Sequence, residues 1–234
     1  MSYLGDLGQL DLTAVGVFLA AWALYEWVSA RATRRGGNLA SRMKVWRVEW
    51  MASVLERDNR ILDIQILRSL VGNSSFLAST AIFVIGGLAA LLGAAKDIVE
   101  VINHFDYVEA TNQNRFGVQV SLLIVIFMHA FFRLAWSMRL HNNAAVVLGS
   151  IPQPKPPGQD PARDALAAKR AETTAQLVTL AAKHYNGGMH AYYFGLAAVA
   201  WFLHPVALIV STLWVVATLY RREFKSQAYG VLAG

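Results

Sequence analysis

Four long apolar runs constrain this chain more than any other feature of its sequence. A helix needs about 20 apolar residues to cross the hydrocarbon core of a bilayer. Three runs meet that requirement, at 12–30, 76–95 and 118–138. Only 15% of the residues are charged, against roughly 25% in an average soluble domain. The sequence therefore predicts a membrane protein.

The fourth apolar run, at 189–220, is too long for one span and contains a break. As a single helix it would extend about 48 Å. Pro205 also removes a helix hydrogen bond and disfavours helix at the residue before it. We predict two short helices, 189–203 and 206–220, as two crossings or as a re-entrant hairpin. The predicted fold is an all-α, polytopic transmembrane helix bundle that forms one membrane domain over residues 1–234.

Basic residues predict the orientation of this bundle. Nineteen of the 21 lysines and arginines lie in 31–74, 133–188 and 221–225, and such residues concentrate on the cytoplasmic side. We therefore expect cytoplasmic segments at 31–75 and 139–188, a cytoplasmic C-terminus and an outside N-terminus, in a bacterial inner membrane. Ends on opposite sides require an odd number of crossings, which favours five over four.

Amphipathic helices are predicted in both cytoplasmic segments. Apolar residues recur with helical spacing across 39–56, among basic residues. We interpret this stretch as an interfacial helix with tryptophan at the headgroups; a partner-binding helix is the alternative. The proline-rich stretch 150–161 predicts a linker. An alanine-rich surface helix follows at 162–183, and we expect Asn186-Gly187-Gly188 to end it.

Polar side chains within or beside the apolar runs are the candidate functional residues. Such groups must pair, or face protein and water, because lipid cannot satisfy them. Arg133 and Glu26 lie at matching depths and could form an ion pair; alternatively, both reach the headgroups. The residues predicted to line a polar pathway or interhelical contacts are Glu26, Gln65, Arg68, Asn73, His129 and Arg133.

Motifs for known chemistry are missing from the sequence. There is no cysteine, which excludes cysteine–zinc sites and iron–sulfur clusters. P-loop, Rossmann, His-Glu-x-x-His and Gly-x-Ser-x-Gly patterns do not occur. We therefore expect no enzyme, no metal site and no cofactor. The basic residues flank the apolar runs, so membrane topology explains them without nucleic-acid binding.

Three stretches carry a family resemblance. They are NRILDIQILRSLVGNSSFLASTAI at 59–82, FFRLAWSMRLHNN at 131–143 and AAKHYNGGMHAYYFGLAAVAWFLHP at 181–205. They resemble the membrane proteins grouped as domain of unknown function 599, over roughly residues 5–228. The resemblance implies a multi-pass membrane protein without an established activity. It marks Arg68, Asn73, Arg133, Arg139, Asn142, His184, Asn186, Tyr192 and Tyr193.

Two functions fit these features, and a third is weaker. The first is a homo-oligomeric pore or carrier for small anionic solutes, because one thin bundle encloses little space and symmetric assembly is a common remedy. The second is an accessory or assembly subunit of a larger membrane complex. The third is a lipid or quinone enzyme that uses His129 and Arg133. Expected partners are anionic lipid at the cytoplasmic face and further copies or another membrane protein.

Overall fold

The computed structural model describes residues 7–104, 111–154 and 160–232. All regular structure in these ranges is helical, which confirms the all-α prediction for the described part of the chain. Residues 155–159 of the predicted linker lie outside it. The helices are α1 Gln9–Arg35, α2 Leu39–Val54, α3 Ile61–Gly93, α4 Ala95–Ile102, α5 Gln113–Gly149, α6 Pro161–Val199, α7 Pro205–Phe224 and α8 Gln227–Val231.

Three of the described helices are long and apolar enough to cross a membrane, namely α1, α3 and α5. α1 and α5 contain the predicted spans 12–30 and 118–138. α3 contains the span predicted at 76–95 except for its last two residues, because the helix ends at Gly93. These helices suggest membrane association.

The fourth apolar run differs from the predicted pair of short helices. α6 continues without interruption from Pro161 to Val199, so the predicted surface helix and the first half of this run are one helix. A 3₁₀ turn at Ala200–Phe202 follows. The break at His204 is confirmed: its Nδ1 accepts a hydrogen bond from the backbone N–H of Val206 at 3.1 Å, and α7 begins at the next residue.

Two adjacent glycines make room for α5 instead of ending α6. A Cβ on Gly187 would lie 1.7 Å from Nη2 of Arg133, and a Cβ on Gly188 would lie 2.7 Å from Cγ of Leu134. Packing of α5 against α6 therefore outweighs the helix cost of glycine, which is about 0.5–1 kcal/mol per residue. For this reason the helix predicted to start at 189 begins instead at Pro161.

α5 is the central helix of the bundle. It packs against α3 and α6, while α1 packs mainly on α7, and α2 packs mainly on α6. A large hydrophobic core includes Phe18, Phe194 and Trp201, and a smaller one under α2 includes Met51 and Val54. Since α3 contacts few other helices, most of its apolar surface is free for lipid or for another protein.

α2 confirms a helix over most of 39–56, but its apolar residues do not share one environment. Met51 and Val54 are buried against the body of the protein, whereas the side chain of Trp46 is 52% exposed. The last turn of the helix is thus buried, and Trp46 faces outward. Its interfacial role stays a prediction.

A buried polar cluster lies at the start of α1. Oδ1 of Asp11 accepts hydrogen bonds from Nε1 of Trp201 at 2.7 Å and from Nη2 of Arg115 at 3.0 Å. Nε2 of Gln119 donates to the carbonyl oxygen of Trp201 at 3.0 Å. These contacts join α1, α5 and the turn after α6, so this end of the bundle is closed by paired groups.

Candidate anion-binding cavity

A cavity of about 490 Å³ lies between α1, α2, α5 and α6. Its residue nearest to the start of α1 is Glu26, about 22 Å along the helix from Asp11, so the cavity lies toward the other end of the bundle. Its volume is within the usual range of small-molecule sites. The polar side chains that line it are Glu26, Ser29, Thr33, Arg34, Lys44, Arg47, Arg133, Gln176, Thr179, Lys183, Asn186 and His190.

One face of α6 supplies most of the neutral polar groups. Gln176, Thr179, Lys183, Asn186 and His190 follow each other at intervals of three and four residues. This spacing keeps side chains on one side of a helix. Because α6 continues through its glycines, this polar face extends to His190.

Five basic side chains line the cavity: Arg34, Lys44, Arg47, Arg133 and Lys183. In the described part of the chain, none of them has a carboxylate within ion-pair distance. Glu26 is the one carboxylate that lines the same space, so the lining carries five cations against one anion. The cavity is therefore electropositive.

Arg47 shows the cost of this arrangement most directly. Its side chain is half-buried, and burial lowers the pKa of its guanidinium. Removing a cation from water disfavours its charged form unless an opposite charge comes near. An anion in the cavity would supply that opposite charge.

Arg133 is held against the backbone of α6 at Gly187. Its Nη2 donates a weak hydrogen bond to the carbonyl oxygen of Lys183 at 3.4 Å. Its Nε is buried and has no acceptor among the described residues. The hydrogen-bonding capacity of this guanidinium is thus only partly used.

The ion pair expected between Glu26 and Arg133 is not formed. Instead, Oε1 of Glu26 lies 2.7 Å from Nδ1 of His190. The ring edge of His190 also packs against Tyr25, with centroids 5.0 Å apart. The uninterrupted α6 brings His190 to α1, so His190 is the partner of Glu26 in the place predicted for Arg133. Both Glu26 and Arg133 nevertheless line the cavity.

Aromatic rings close the cavity toward the middle of the bundle. Trp22 and Phe194 lie one helical turn beyond Glu26 and His190, and their rings are stacked with centroids 5.2 Å apart. Phe18 packs edge-on against Phe194 at 5.8 Å. The polar part of the bundle therefore ends at this apolar layer of aromatic rings.

The other residues predicted to line a polar pathway lie elsewhere. Gln65, Arg68 and Asn73 are exposed along α3 and do not line the cavity. His129 is exposed as well, with its ring 5.8 Å from that of Trp22. The sequence suggested His129 as the buried histidine, but that residue is His141, which is 3% exposed. The reason is the rotation of α5 about its axis, which places His141 on its buried side and His129 on its exposed side.

Two of the positions marked by the family resemblance join helices. The hydroxyl of Tyr192 donates to the carbonyl oxygen of Leu77 in α3 at 2.5 Å. The hydroxyl of Tyr193 accepts from Nη1 of Arg222 in α7 at 2.6 Å. Two further marked positions, Arg133 and Asn186, line the cavity.

The remaining marked positions lie on the outer surface of α5 and α6. The guanidinium of Arg139 lies 5.5 Å from the ring centroid of Trp136. The ring of His184 is 6.4 Å from the same tryptophan. Asn142 is exposed. None of these three lines the cavity among the described residues.

Sequence reasoning missed Lys44, Arg47, Lys183 and His190 as site residues. The first two were interpreted as lipid-facing side chains of the helix at 39–56, since a sequence does not show which surface α2 covers. A signal for the last two did exist in the three-and-four spacing of polar residues from 176 to 190. The expectation that the helix ends at its glycines separated His190 from the rest of this pattern.

The fold and the cavity define an all-α protein with membrane-length helices and an electropositive site at one end. The family described as "Protein of unknown function, DUF599" matches residues 13–228. The chain belongs to this family, as the resemblance in its polar motifs indicated. No curated protein and no solved structure matches the chain.

Proposed function

We propose that this protein is a polytopic membrane protein that binds small anionic solutes in the cavity and carries them across the bilayer. The observation that supports this proposal is the convergence of five basic side chains without carboxylate partners on one cavity. Arginine forks pair well with carboxylate and phosphate groups. Membrane topology explains why basic residues occur near a bilayer, but it does not explain why they meet in one cavity.

A carrier fits the interior of this bundle better than an open pore. The stacked rings of Trp22 and Phe194 separate the cavity from the cluster around Asp11. An ion would have to pass this apolar layer of rings, and its loss of hydration there would cost free energy unless the structure changes. Transport by one chain would thus require the helices around α6 to rearrange.

The proposed orientation follows from charge. The cavity carries five of the basic residues that are expected on the cytoplasmic side. In a bacterial inner membrane it would then open to the cytoplasm, with the start of α1 outside. α7 would return through the bilayer after the break at His204, so that five crossings leave the C-terminus inside.

The binding step can be tested with purified protein in detergent. Sodium pyrophosphate should raise the midpoint of thermal unfolding relative to sodium chloride of equal ionic strength. At a pyrophosphate concentration of 100 times Kd, the free energy of unfolding should increase by about 2.7 kcal/mol. The substitution Arg133→Gln should abolish this shift. The control Arg139→Gln removes an equal charge from the same helix outside the cavity and should leave it unchanged. Equal loss in both variants, or no shift at all, would contradict the proposal.

The transport step needs a separate measurement. Proteoliposomes that contain the protein should accumulate labelled phosphate faster than empty vesicles, and Arg133→Gln should remove the difference. Binding without uptake would refute the carrier and retain an anion-binding role.

A second candidate function, an interaction subunit or a homo-oligomer, is favoured by the outer face of α3. Arg68 and Asn73 are exposed there together with Phe76 and Phe83, whose side chains are 72% and 80% exposed. Amide and guanidinium groups are costly against lipid, so a protein partner on this face would satisfy them. Native mass spectrometry of the protein extracted from its own membrane distinguishes the cases. A closed homo-oligomer supports self-association, unrelated subunits support the accessory role, and a monomer contradicts both.

A further inference from the structure

A second, smaller groove continues from the cavity. Its volume is about 290 Å³, and it shares Ala40, Arg47, Asn186 and His190 with the cavity. It extends from this shared boundary between α2, α6 and α7. A single ligand could therefore occupy both spaces at once.

The groove differs from the cavity in its chemistry. Apart from the shared boundary, its lining consists of the apolar side chains of Leu39, Met43, Met189 and Leu219 together with Tyr193, Arg222 and Glu223. Methionine side chains adapt readily to flexible apolar ligands. The four apolar side chains offer contacts to a hydrocarbon chain.

The polar groups of the groove already have partners in the protein. Nη1 of Arg222 donates to the hydroxyl of Tyr193 at 2.6 Å, and its guanidinium lies 5.8 Å from the ring centroid. Oε1 of Glu223 accepts from the backbone N–H of Ala40 at 3.2 Å. In the described part of the chain, the five cations of the cavity have no carboxylate within ion-pair distance, and neither has Arg222. Four of those five cations lie outside the groove, and the apolar side chains of the groove lie beside them.

The geometry points to an anionic lipid as the occupant, with its phosphate headgroup among Arg47, Arg133 and Lys183 and its chain along Met43, Met189 and Leu219. This inference rests on the proposed anion site and names its ligand class. Arg47 lies on the boundary of both spaces, where the headgroup of such a molecule meets its chain. A purely water-soluble phosphate would leave the groove empty.

The test compares two probes that share a headgroup. Protein in phosphatidylcholine nanodiscs is titrated with glycerol 3-phosphate and with dihexanoyl phosphatidic acid, and empty nanodiscs correct for partitioning. Each buried methylene should tighten binding about fourfold, so that three of them give about 50-fold. We expect phosphatidic acid to bind tighter by at least that factor.

Variants separate this inference from the proposed function. Met189→Gln should weaken phosphatidic acid binding at least tenfold and leave glycerol 3-phosphate unchanged. Met128→Gln replaces an exposed methionine of α5 outside the groove and is the matched control. Arg133→Gln should weaken both probes.

Three results would overturn the inference. Equal affinity for both probes, with both sensitive to Arg133→Gln, would mean a water-soluble anion and would leave the proposed function standing. Tight phosphatidic acid binding that Met189→Gln does not change would place the chain outside the groove. If neither probe responds to Arg133→Gln, the anion site itself fails, and the proposed function fails with it.

Discussion

The substitution Gly188→Ala tests the account of how α5 and α6 pack. The added Cβ would lie 2.7 Å and 2.9 Å from Cγ and Cδ2 of Leu134, about 1 Å closer than a favourable carbon–carbon contact. Leu134 is completely buried, so it has little room to move. Overpacking of this kind costs about 1–3 kcal/mol, and alanine returns about 0.5–1 kcal/mol of helix stability. The expected net destabilisation is about 1 kcal/mol.

The neighbouring substitution Gly187→Ala is the control. Judged by the distances alone, Gly187→Ala would be expected to destabilise the protein more than Gly188→Ala. Its Cβ would lie only 1.7 Å from Nη2 of Arg133, but that atom is the end of a flexible side chain that can move into the cavity. Stability should then stay equal to that of the wild type or rise slightly. Anion binding should weaken, because the guanidinium leaves its position.

Thermal unfolding in detergent measures both variants. A loss of about 1 kcal/mol corresponds to a decrease of about 2–4 °C in Tm for a chain of this size. We expect that decrease for Gly188→Ala and not for Gly187→Ala. If Gly188→Ala unfolds at or above the wild-type temperature, or if the two variants lose the same stability, the packing argument is refuted.

Three further substitutions should lower stability in the same assay. Asp63→Ala should cost about 2 kcal/mol, because Nε1 of Trp50 donates to this buried carboxylate at 2.7 Å; an unchanged Tm would show that α2 is not held there. Ser137→Ala should cost about 1 kcal/mol, since its hydroxyl donates to the carbonyl oxygen of Ala181 at 2.8 Å in the contact of α5 with α6. Asn38→Ala should cost about 1 kcal/mol or more, because Oδ1 of Asn38 accepts from the backbone N–H of Ser41 at 3.1 Å and caps α2. Asn38→Asp should restore only this cap, since Nδ2 of the buried Asn38 also donates to Oγ1 of Thr33 at 2.8 Å.

Much of the fold could be predicted because it depends on local properties. Apolar runs of sufficient length predicted three long helices, and Pro205 marked the start of α7 whatever its neighbours are. The glycines at 187 and 188 show the limit of such reasoning. Glycine favours a helix end by its own conformational freedom, and only the position of α5 reveals that it is needed for close approach.

The candidate site was harder to predict because it depends on which faces meet. Arg133 and Glu26 both line the cavity, but a shared depth, as predicted, does not fix direction around a helix. In the structure His190 lies against Glu26 instead, and Lys44 and Arg47 line the cavity beside α6. A single sequence carries the periodicity of each helix but not the rotation of one helix against another.

The cluster around Asp11 has a consequence for the order in which the protein is made. Asp11 is bonded to Trp201, 190 positions later in the chain, and the main neighbour of α1 is α7. Because synthesis proceeds from the N-terminus, α1 has to wait for these partners until nearly the whole chain has emerged. During that interval its carboxylate and the end of α5 lack their shared tryptophan. A ribosome stalled before the end of α6 would therefore leave a chain in which Asp11, Glu26 and Phe18 lack their partners Trp201, His190 and Phe194.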